Sequence, residues 1–254
     1  MLICTVRDCR RDLVRSGQSW KCSAGHTFDV ARSGYVNLLQ PQDRKSKNPG
    51  DTVEAVQGRR RLHDSGATQP LLAAIRDLLQ PSTHDAILDA GCGEGFYLGS
   101  LGIPNSHGVD ISIPAIDAAA RRYPSVQWVV ANADRMLPYR DSSFDVALSI
   151  TARMNAGGFL RVLRPGGMLL VAIAAPDDLI ELRGEGREDR LTRTQNDFSA
   201  FDFIKQHRVT CHAELDPATL QGLLHAIYRP LTAAPTAATR VTFSLDLLLY
   251  RRPL

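Results

Sequence analysis

Residues 87–95 read Ile-Leu-Asp-Ala-Gly-Cys-Gly-Glu-Gly, an apolar run that leads directly into three closely spaced glycines. The run predicts a buried β-strand, followed by a tight turn that opens a helix. Gly91 and Gly93 would let the backbone pass close to a ligand, and Gly95 would permit close packing of the next helix. Ligands of open α/β sheets bind beyond the carboxyl ends of the strands, so this stretch predicts both a fold class and a ligand loop.

Strand-like and helix-like runs alternate through residues 67–254. Helices are predicted at 68–80, from Glu94 onward, and at 114–123, 156–163 and 218–228. Strands are predicted at 85–91, 107–111, 126–131, 144–150, 166–174, 207–215 and 240–250. Continuous apolar strands between amphipathic helices indicate a parallel sheet that is covered on both faces. We therefore expect an α/β fold with a doubly wound, mostly parallel seven-stranded sheet.

Two shorter segments precede this domain. Residues 1–38 are rich in cysteine and contain the extended runs HTFDVA and GYVNLL. Residues 39–66 are polar and basic, and they predict a loop followed by a helix with Asp51 as its N-cap and Gly66 at its end. The expected division is a small metal-binding module at 1–38, a basic linker and helix at 39–66, and the α/β domain at 67–254.

Three of the five cysteines lie within the first 22 residues, close to a histidine. In a reducing compartment, thiols crowded in this way bind a metal more often than they form disulfides. Three thiolates and one imidazole make the ligand set of a closed structural zinc site, here supplied by Cys4, Cys9, Cys22 and His26. Such a site also explains how a short segment with few apolar residues can fold. The remaining cysteines, Cys92 and Cys211, are interpreted as structural.

Positive charge is concentrated at the start of the chain, although the net charge is only +3. The basic residues concerned are Arg7, Arg10, Arg11, Arg15, Lys21, Arg32, Arg44, Lys45, Lys47, Arg59, Arg60 and Arg61. Charge at this density attracts phosphate and strengthens binding as the salt concentration falls. The alternative interpretation is a solvated basic face.

The composition is that of a globular protein rather than a membrane or secreted one. Hydrophobic residues make up 44% and charged residues 22% of the chain, which is ordinary for a globular domain. No apolar run approaches the roughly 18 residues that span a bilayer, and the N-terminal residues lack the apolar centre of a signal peptide. We expect a cytoplasmic protein that is not embedded in a membrane.

Glycines alone do not identify a cofactor, because dinucleotide sites use a similar loop. The form Asp-x-Gly-Cys-Gly-x-Gly, however, resembles motif I of class I methyltransferases, in which an acid beside the loop, here Asp89, faces the methionine part of S-adenosylmethionine. Asp110 ends the next predicted strand, where an acid can accept both ribose hydroxyls. Asp134, or Asn132 beside it, is expected near the adenine edge. The downstream turns MLPY and LRPGG complete the resemblance.

Longer runs carry a more specific resemblance. The segments CSAGHTFDVARSGYVNLLQP, KNPGDTVEAVQGRRRLHDSG and LDAGCGEGFY are similar to the RlmA-type 23S ribosomal RNA guanine-N1 methyltransferases, in register over residues 1–185. This resemblance implies a zinc module and a methyltransferase domain that together hold an RNA hairpin, often as a homodimer. It implies zinc and S-adenosylmethionine as cofactors. The expected cofactor-binding residues are Asp89, Gly91, Gly93, Glu94, Gly95, Asp110, Asp134 and Thr68.

The chain departs from this family pattern around the expected active cavity. Thr68 stands where the family usually has an aromatic residue, and Asp178 replaces a histidine. After the fourth predicted strand, a Tyr-Ala-Pro-like stretch gives way to a run that includes Thr151 and Arg153. Loss of an aromatic platform could remove roughly 1–3 kcal/mol of base stacking, so these changes bear on which base is accepted and on activity.

The expected reaction is a direct displacement at the sulfonium methyl group, with N1 of a guanine in a 23S hairpin loop as the acceptor. Alignment of the reactants could supply roughly 7–11 kcal/mol of the barrier, and a nearby group should remove the N1 proton. The sequence leaves this base unassigned, with Asp178 and Asp134 as candidates. Two alternatives stay open: a non-catalytic RNA-binding protein and a methyltransferase that acts on a small molecule.

Overall fold

The computed structural model describes residues 1–44, 46, 49–152, 154–226 and 237–254, with the backbone alone at 225 and 226. Lys45, Lys47 and Arg153 therefore lie outside the described residues. In the part described, no helix has the length and apolar character needed to cross a membrane.

The N-terminal segment forms a small antiparallel sheet in the order β1-β2-β3. Its strands are β1 (Leu13–Ser16), β2 (Ser19–Cys22) and β3 (Thr27–Asp29). The next strand, β4 (Val36–Asn37), leaves this sheet and pairs in parallel with Val129 and Val130 of the large sheet. The N-terminal segment is thereby joined to the α/β domain by backbone hydrogen bonds.

Within the described residues, the large sheet has eight strands in the order β10-β11-β9-β8-β5-β6-β7-β4. They are β4, β5 (Ile87–Ala90), β6 (Ser106–Asp110), β7 (Gln127–Val130), β8 (Phe144–Ile150), β9 (Leu163–Ala174), β10 (Asp202–Leu215) and β11 (Thr239–Arg251). Strands β4 to β9 are parallel, and β11 and β10 add an antiparallel hairpin. The predicted class is confirmed, and the eighth strand is β4, which the prediction left in the N-terminal segment.

Helices cover the sheet at its connections. They are α1 (Val53–Asp64), α2 (Gln69–Leu79), α3 (Phe96–Leu101), α4 (Ile113–Arg122), α5 (Ala156–Val162), α6 (Ile180–Arg183), α7 (Leu191–Asp197) and α8 (Pro217–Ala226). The helix predicted at 218–228 corresponds to α8, and its last two positions lie outside the described residues.

Two predicted helix starts are wrong. The N-cap of α1 is Thr52 rather than Asp51, because the Thr52 hydroxyl accepts the amide hydrogen bond of Ala55. The helix after the glycine loop begins at Phe96 rather than Glu94, because Gly95 is its N-cap with a left-handed φ of 77°. A left-handed residue ends the loop, and the helical hydrogen bonds start after it.

One hydrophobic core joins the N-terminal segment to the sheet. Leu2, Cys4 and Leu13 are buried in the same cluster as Tyr139 and Val129. A β-bridge between Leu2 and Tyr139 reinforces the contact. The small module therefore packs on the α/β domain as part of its core, and the residue limits of the three-part division stay a prediction.

Candidate functional site

A cavity of about 1510 Å³ opens at the carboxyl ends of the parallel strands. One side, which we call the loop wall, carries Asp89, Gly91, Gly93, Glu94 and Asp110. Another side, the hairpin wall, carries Asp178, Leu179, Arg187, Val209, Cys211, Phe243 and Leu245. This is where ligands bind in open α/β sheets.

The glycine loop fits close backbone approach to a ligand. Gly91, Gly93 and Gly95 have φ values of 81°, 54° and 77°, a region that favours glycine. A Cβ on Gly91 would lie 2.4 Å from that of Ala152, and one on Gly95 would lie 2.3 Å from the Trp128 ring. Glycine at these positions therefore lets the loop pack closely on Ala152 on one side and on the Trp128 ring on the other.

A buried acid, Asp89, and a half-buried one, Asp110, give the loop wall its electrostatic character. Among the described residues, Asp89 Oδ1 has no hydrogen-bond partner, and burial, followed by the charges of Asp110 and Glu94, raises the pKa of Asp89 to about 8. The amides of Gly93 and Ser112 donate to Asp110, at 3.0 and 2.8 Å. A positively charged ligand would provide the interaction that Asp89 lacks.

Helix α1 contributes a cation that was predicted only as part of the basic linker. Arg59 lies 2.7 Å from Asp51 and 3.3 Å from Glu94, with one terminal nitrogen 2.8 Å from the position of a Cβ on Gly93. Burial opposes its charge, but Glu94 and Asp51 outweigh burial and raise the pKa of Arg59. Arg59 therefore belongs to the cavity and not to the exposed basic surface.

His63 and Thr68 extend this network. His63 Nε2 donates to Glu94 Oε1 at 3.0 Å, and His63 Nδ1 lies 2.7 Å from the Thr68 hydroxyl. The imidazole also stacks on Phe96, with the ring centroids 4.0 Å apart. The sequence predicts Thr68 and Glu94 as site residues, but not His63. The available signal was the spacing of Arg59 and His63, which lie four residues apart on one helical face.

Asp134 and Asn132 line the cavity near the end of β7. The Asn132 amide donates to the backbone oxygen of Asp43, while Asn155 donates to the backbone oxygen of Asp134. Asp134 is exposed, so it lies at the rim rather than the floor.

Beyond the loop wall, the cavity lining contains two residues with strained backbone and the buried acid Asp178. Thr151, at the end of β8, and Leu179 have φ values of 50° and 56°, although neither is glycine; such strain clusters at functional sites. Asp178 is buried, and its Oδ2 lies 3.4 Å from Arg187. Burial raises the pKa of Asp178 to about 6.

The predicted metal ligands come together in the N-terminal segment. Ligand atoms of Cys4, Cys9, Cys22 and His26 all lie within 4.8 Å of one another. The Sγ atoms of Cys4 and Cys22 are each 3.4 Å from His26 Nδ1, and those of Cys9 and Cys22 are 3.8 Å apart. Tetrahedral zinc would set such atoms about 3.5–3.8 Å apart. Burial raises the pKa of the Cys4 thiol, and a bound cation would favour the thiolate. The four residues fit zinc.

Comparison with known proteins gives two family matches along the chain. The zinc-ribbon family described as "RlmA, N-terminal" matches residues 3–47. The family described as "Methyltransferase domain" matches residues 88–171. A "putative methyltransferase" of Bacillus halodurans has the same fold, with a TM-score of 0.52 at 15% identity over 72% of this chain and 99% of that one.

Two curated relatives match more than two thirds of the chain. A Streptomyces fradiae protein named 23S rRNA (guanine(748)-N(1))-methyltransferase is 38% identical over 68% of this chain and 64% of its own length. A Bacillus subtilis protein named "Putative 23S rRNA (guanine-N(1)-)-methyltransferase YxjB" is 36% identical over 80% of this chain and 74% of its own length. The chain thus spans just under two thirds of the first relative.

Fold, glycine loop and metal cluster together define a class I methyltransferase domain, the class that uses S-adenosylmethionine, preceded by a zinc ribbon. The extent of the match to the Bacillus subtilis relative then identifies the family. The chain belongs to the RlmA-type methyltransferases.

Proposed function

We propose that this protein transfers a methyl group from S-adenosylmethionine to N1 of a guanine in a hairpin loop of 23S ribosomal RNA, in the cytoplasm. The observation that supports this proposal best is that two different walls line one cavity. The loop wall is suited to a cationic cofactor, and the hairpin wall offers apolar side chains and a buried carboxylate. The names of the two curated relatives support the choice of RNA and of guanine N1.

The loop wall would hold the cofactor. Asp89 would face the positive charge of its methionine part, and Asp110, fixed by two backbone amides, would accept the ribose hydroxyls. Arg59 would face the carboxylate, and Asp134 would lie near the adenine at the rim. When bound, S-adenosylmethionine supplies an electrophilic methyl group on a sulfonium. The chain's own contribution is to orient the two partners and to exclude water from between them.

The zinc ribbon would bind the RNA backbone. Its basic side chains Arg7, Arg10, Arg11, Arg15, Lys21 and Arg32 are all exposed. Exposed cations bind phosphate and release counterions, so affinity should fall steeply as salt rises. Unpaired bases of a loop can be turned into a pocket at a cost of a few kcal/mol, while the ribbon holds the stem. A small-molecule substrate would not use this surface.

A homodimer forms part of the proposal, as in the family that the sequence resembles. Two copies would offer two ribbons to one RNA. Sedimentation of the zinc-loaded protein, with and without RNA, gives the number of chains directly. A monomer in both conditions would remove the dimer without affecting the proposed reaction.

Primer extension on unmodified 23S RNA tests the reaction. A methyl group on guanine N1 blocks the Watson–Crick edge, so reverse transcriptase should halt one nucleotide before the target. A stop that depends on S-adenosylmethionine and lies in a hairpin loop would support the proposal. No stop on either naked RNA or ribosomal particles would contradict it. Salt-sensitive RNA binding without a product would then favour a non-catalytic binder, and cofactor binding without RNA binding would favour a small-molecule enzyme.

A further inference from the structure

We propose that Asp178 is the proton acceptor of the methyl transfer: its carboxylate takes the N1 proton of the target guanine as N1 attacks the methyl group. This inference rests on the proposed function. Asp178, a residue of the hairpin wall, would then be the base that the sequence leaves unassigned.

The backbone around Asp178 is fixed to β11 on both sides. The Ala175 amide donates to Ser244 O at 2.9 Å, and the Leu179 amide donates to Thr242 O at 2.8 Å. The Ser244 amide donates to Asp178 Oδ1 at 3.1 Å. The carboxylate is therefore held in one position. A base that must contact one particular substrate atom needs such positioning.

One carboxylate oxygen is left for a substrate. Oδ1 is held by the Ser244 amide, whereas Oδ2 faces, among the described residues, the guanidinium of Arg187 at 3.4 Å, beyond ordinary hydrogen-bond length. The loop that carries Arg187 is closed back onto this turn by a 2.7 Å bond from the Arg187 amide to Pro176 O. Arg187 can favour the ionised form of Asp178 without occupying its oxygen.

The electrostatic surroundings suit a base that works near neutral pH. Charged and titratable groups that act on Asp178 are Arg187, Arg183 and Asp177 from its own segment, and Cys211 from β10. Burial raises the pKa of Asp178 to about 6 against the effect of the two arginines. The carboxylate is thus ionised at neutral pH, and it is a stronger base than an exposed aspartate.

Four other acids of the cavity are less suitable. Both oxygens of Glu94 are engaged, by His63 and Arg59, and both oxygens of Asp110 accept backbone amides. Asp89 has a pKa of about 8, raised by burial, so it is mostly protonated at neutral pH. Asp134 is exposed at the rim.

The hairpin wall also has the composition of a base-binding surface. Val209, Phe243 and Leu245 line it and are partly exposed, so apolar atoms are available for the faces of a purine. A carboxylate beside such faces can accept the N1–H of guanine. Adenine has no proton at N1, and Asp178 would therefore favour guanine over adenine.

Proton transfer and methyl transfer occur together. The N1–H bond breaks and its proton moves to Asp178 Oδ2. The N1 electron pair forms a bond to the methyl carbon, and the carbon–sulfur bond breaks with its pair left on sulfur. Neutral N1-methylguanine, neutral S-adenosylhomocysteine and a protonated Asp178 result, and the proton then leaves to solvent.

Single-turnover methylation of a hairpin from 23S RNA, followed across pH, tests this assignment. The variants are Asp178→Asn, Asp178→Glu and a control with the same chemical change, Asp77→Asn, at an exposed position of α2. The side-chain oxygen of the Asp178→Asn variant can still accept the Ser244 amide, so folding should be kept. Calorimetry with S-adenosylmethionine and gel-shift titration with the RNA measure binding separately from reaction.

We expect Asp178→Asn to slow methyl transfer by about 100- to 10,000-fold, the usual contribution of a positioned base. Its affinities for cofactor and RNA should match those of the wild type, and Asp178→Glu should recover part of the rate. At saturating S-adenosylmethionine, the wild-type rate should rise with pH through about 6 and level off. The Asp178→Asn rate should keep rising toward the alkaline pH at which guanine N1 ionises unaided, which a structural role would not produce.

Two results would overturn the inference while leaving the proposed function intact. One is a wild type that makes N1-methylguanine and an Asp178→Asn variant that is less than about tenfold slower. The other is a slow Asp178→Asn variant whose pH profile has the wild-type shape. A wild type that makes no N1-methylguanine on any RNA would overturn the proposed function, and the inference with it.

Discussion

Gly58 of α1 and Gly222 of α8 meet where the two helices cross, with no room for a side chain. A Cβ on Gly58 would lie 2.0 Å from the carbonyl oxygen of Gly222, and a Cβ on Gly222 would lie 2.7 Å from Gly58 Cα. The other face of α1 carries Arg59 and His63 into the cavity. The glycine contact therefore sets how closely α1, the helix that carries these two residues, packs on α8.

Replacement of Gly58 by alanine should destabilise the protein. Alanine suits a helix better, but the clash is with backbone, which cannot rotate away, and overpacking costs about 1–3 kcal/mol. Thermal unfolding measures the effect. Gly157→Ala in α5 is the matched control, since its Cβ would meet nothing within 4 Å. It should stabilise by about 0.5–1 kcal/mol. Equal stability of the two variants would contradict a tight crossing.

Replacement of Arg59 by methionine should weaken both the fold and cofactor binding. Glu94 and Asp51, whose side chains are 5% and 10% exposed, would lose their cation, and loss of one partner of a buried pair costs about 3–5 kcal/mol. Loss of a charged hydrogen bond to the cofactor should weaken its affinity by about 10- to 100-fold. Thermal unfolding and calorimetry report the two effects.

Arg60→Met is the control for this substitution. Arg60 and Asp64 form an i,i+4 pair with side chains 52% and 47% exposed, and exposed pairs contribute less than about 1 kcal/mol. The variant should keep wild-type cofactor affinity. If Arg59→Met and Arg60→Met behave alike, the cavity role of Arg59 is wrong.

The sequence predicted best where local pattern and burial agree. The apolar run at 87–90 and the glycines after it were placed correctly. A strand buried on both faces requires apolar residues, and a loop with positive φ values favours glycine, so both structures can be recognised from residue type. The metal ligands Cys4, Cys9, Cys22 and His26 were also brought together as predicted. Three cysteines and a histidine close together in the sequence indicate a shared metal ion, and residues that bind one ion must lie close together in the fold.

Prediction failed where partners come from distant segments. Arg59 looked like the basic residues beside it, and its burial depends on Glu94, 35 positions away. Strand β10 begins at Asp202, five residues before the predicted start, because residues 202–206 are all exposed and do not alternate between apolar and polar side chains. Strand β4 has two residues, and only its pairing with β7 places it in the large sheet.

Removal of zinc should destabilise the whole protein rather than the N-terminal segment alone. Leu2, Cys4 and Leu13 share the core with the sheet, so loss of the ribbon exposes apolar surface of both. A structural zinc site contributes several kcal/mol, and 1 kcal/mol changes the melting temperature of a chain of this size by about 2–4 °C. A chelator should therefore lower the single melting transition by at least about 10 °C.

Metal analysis separates the ligands from the other cysteines. Cys22→Ser should abolish bound zinc and reproduce the melting temperature of the chelated protein. Cys211→Ser, on the hairpin wall, should retain one zinc per chain. Two separate transitions after chelation, with the later one unchanged, would show that the ribbon folds independently of the sheet.

The affinity for S-adenosylmethionine should depend on pH through Asp89. Its pKa is about 8 because burial, Asp110 and Glu94 disfavour its charge. Below that pH the folded protein holds a proton there that the unfolded chain releases above about 4, so this group makes stability fall as pH rises from about 4 to 8. A cationic cofactor needs the ionised carboxylate, and it must therefore displace the proton. The dissociation constant should decrease as pH rises from 6 to 8, by at most about tenfold per unit.

Calorimetry in buffers of different ionisation enthalpy should detect the proton released on binding. Asp89→Asn should bind weakly at every pH and release no proton through this site, because the amide does not titrate in this range. Asp77→Asn, an exposed position on α2, should keep the wild-type dependence. A wild-type affinity that stays constant between pH 6 and 8 would mean that the positive charge of the cofactor is not placed against Asp89, and the loop wall would then bind it in another orientation.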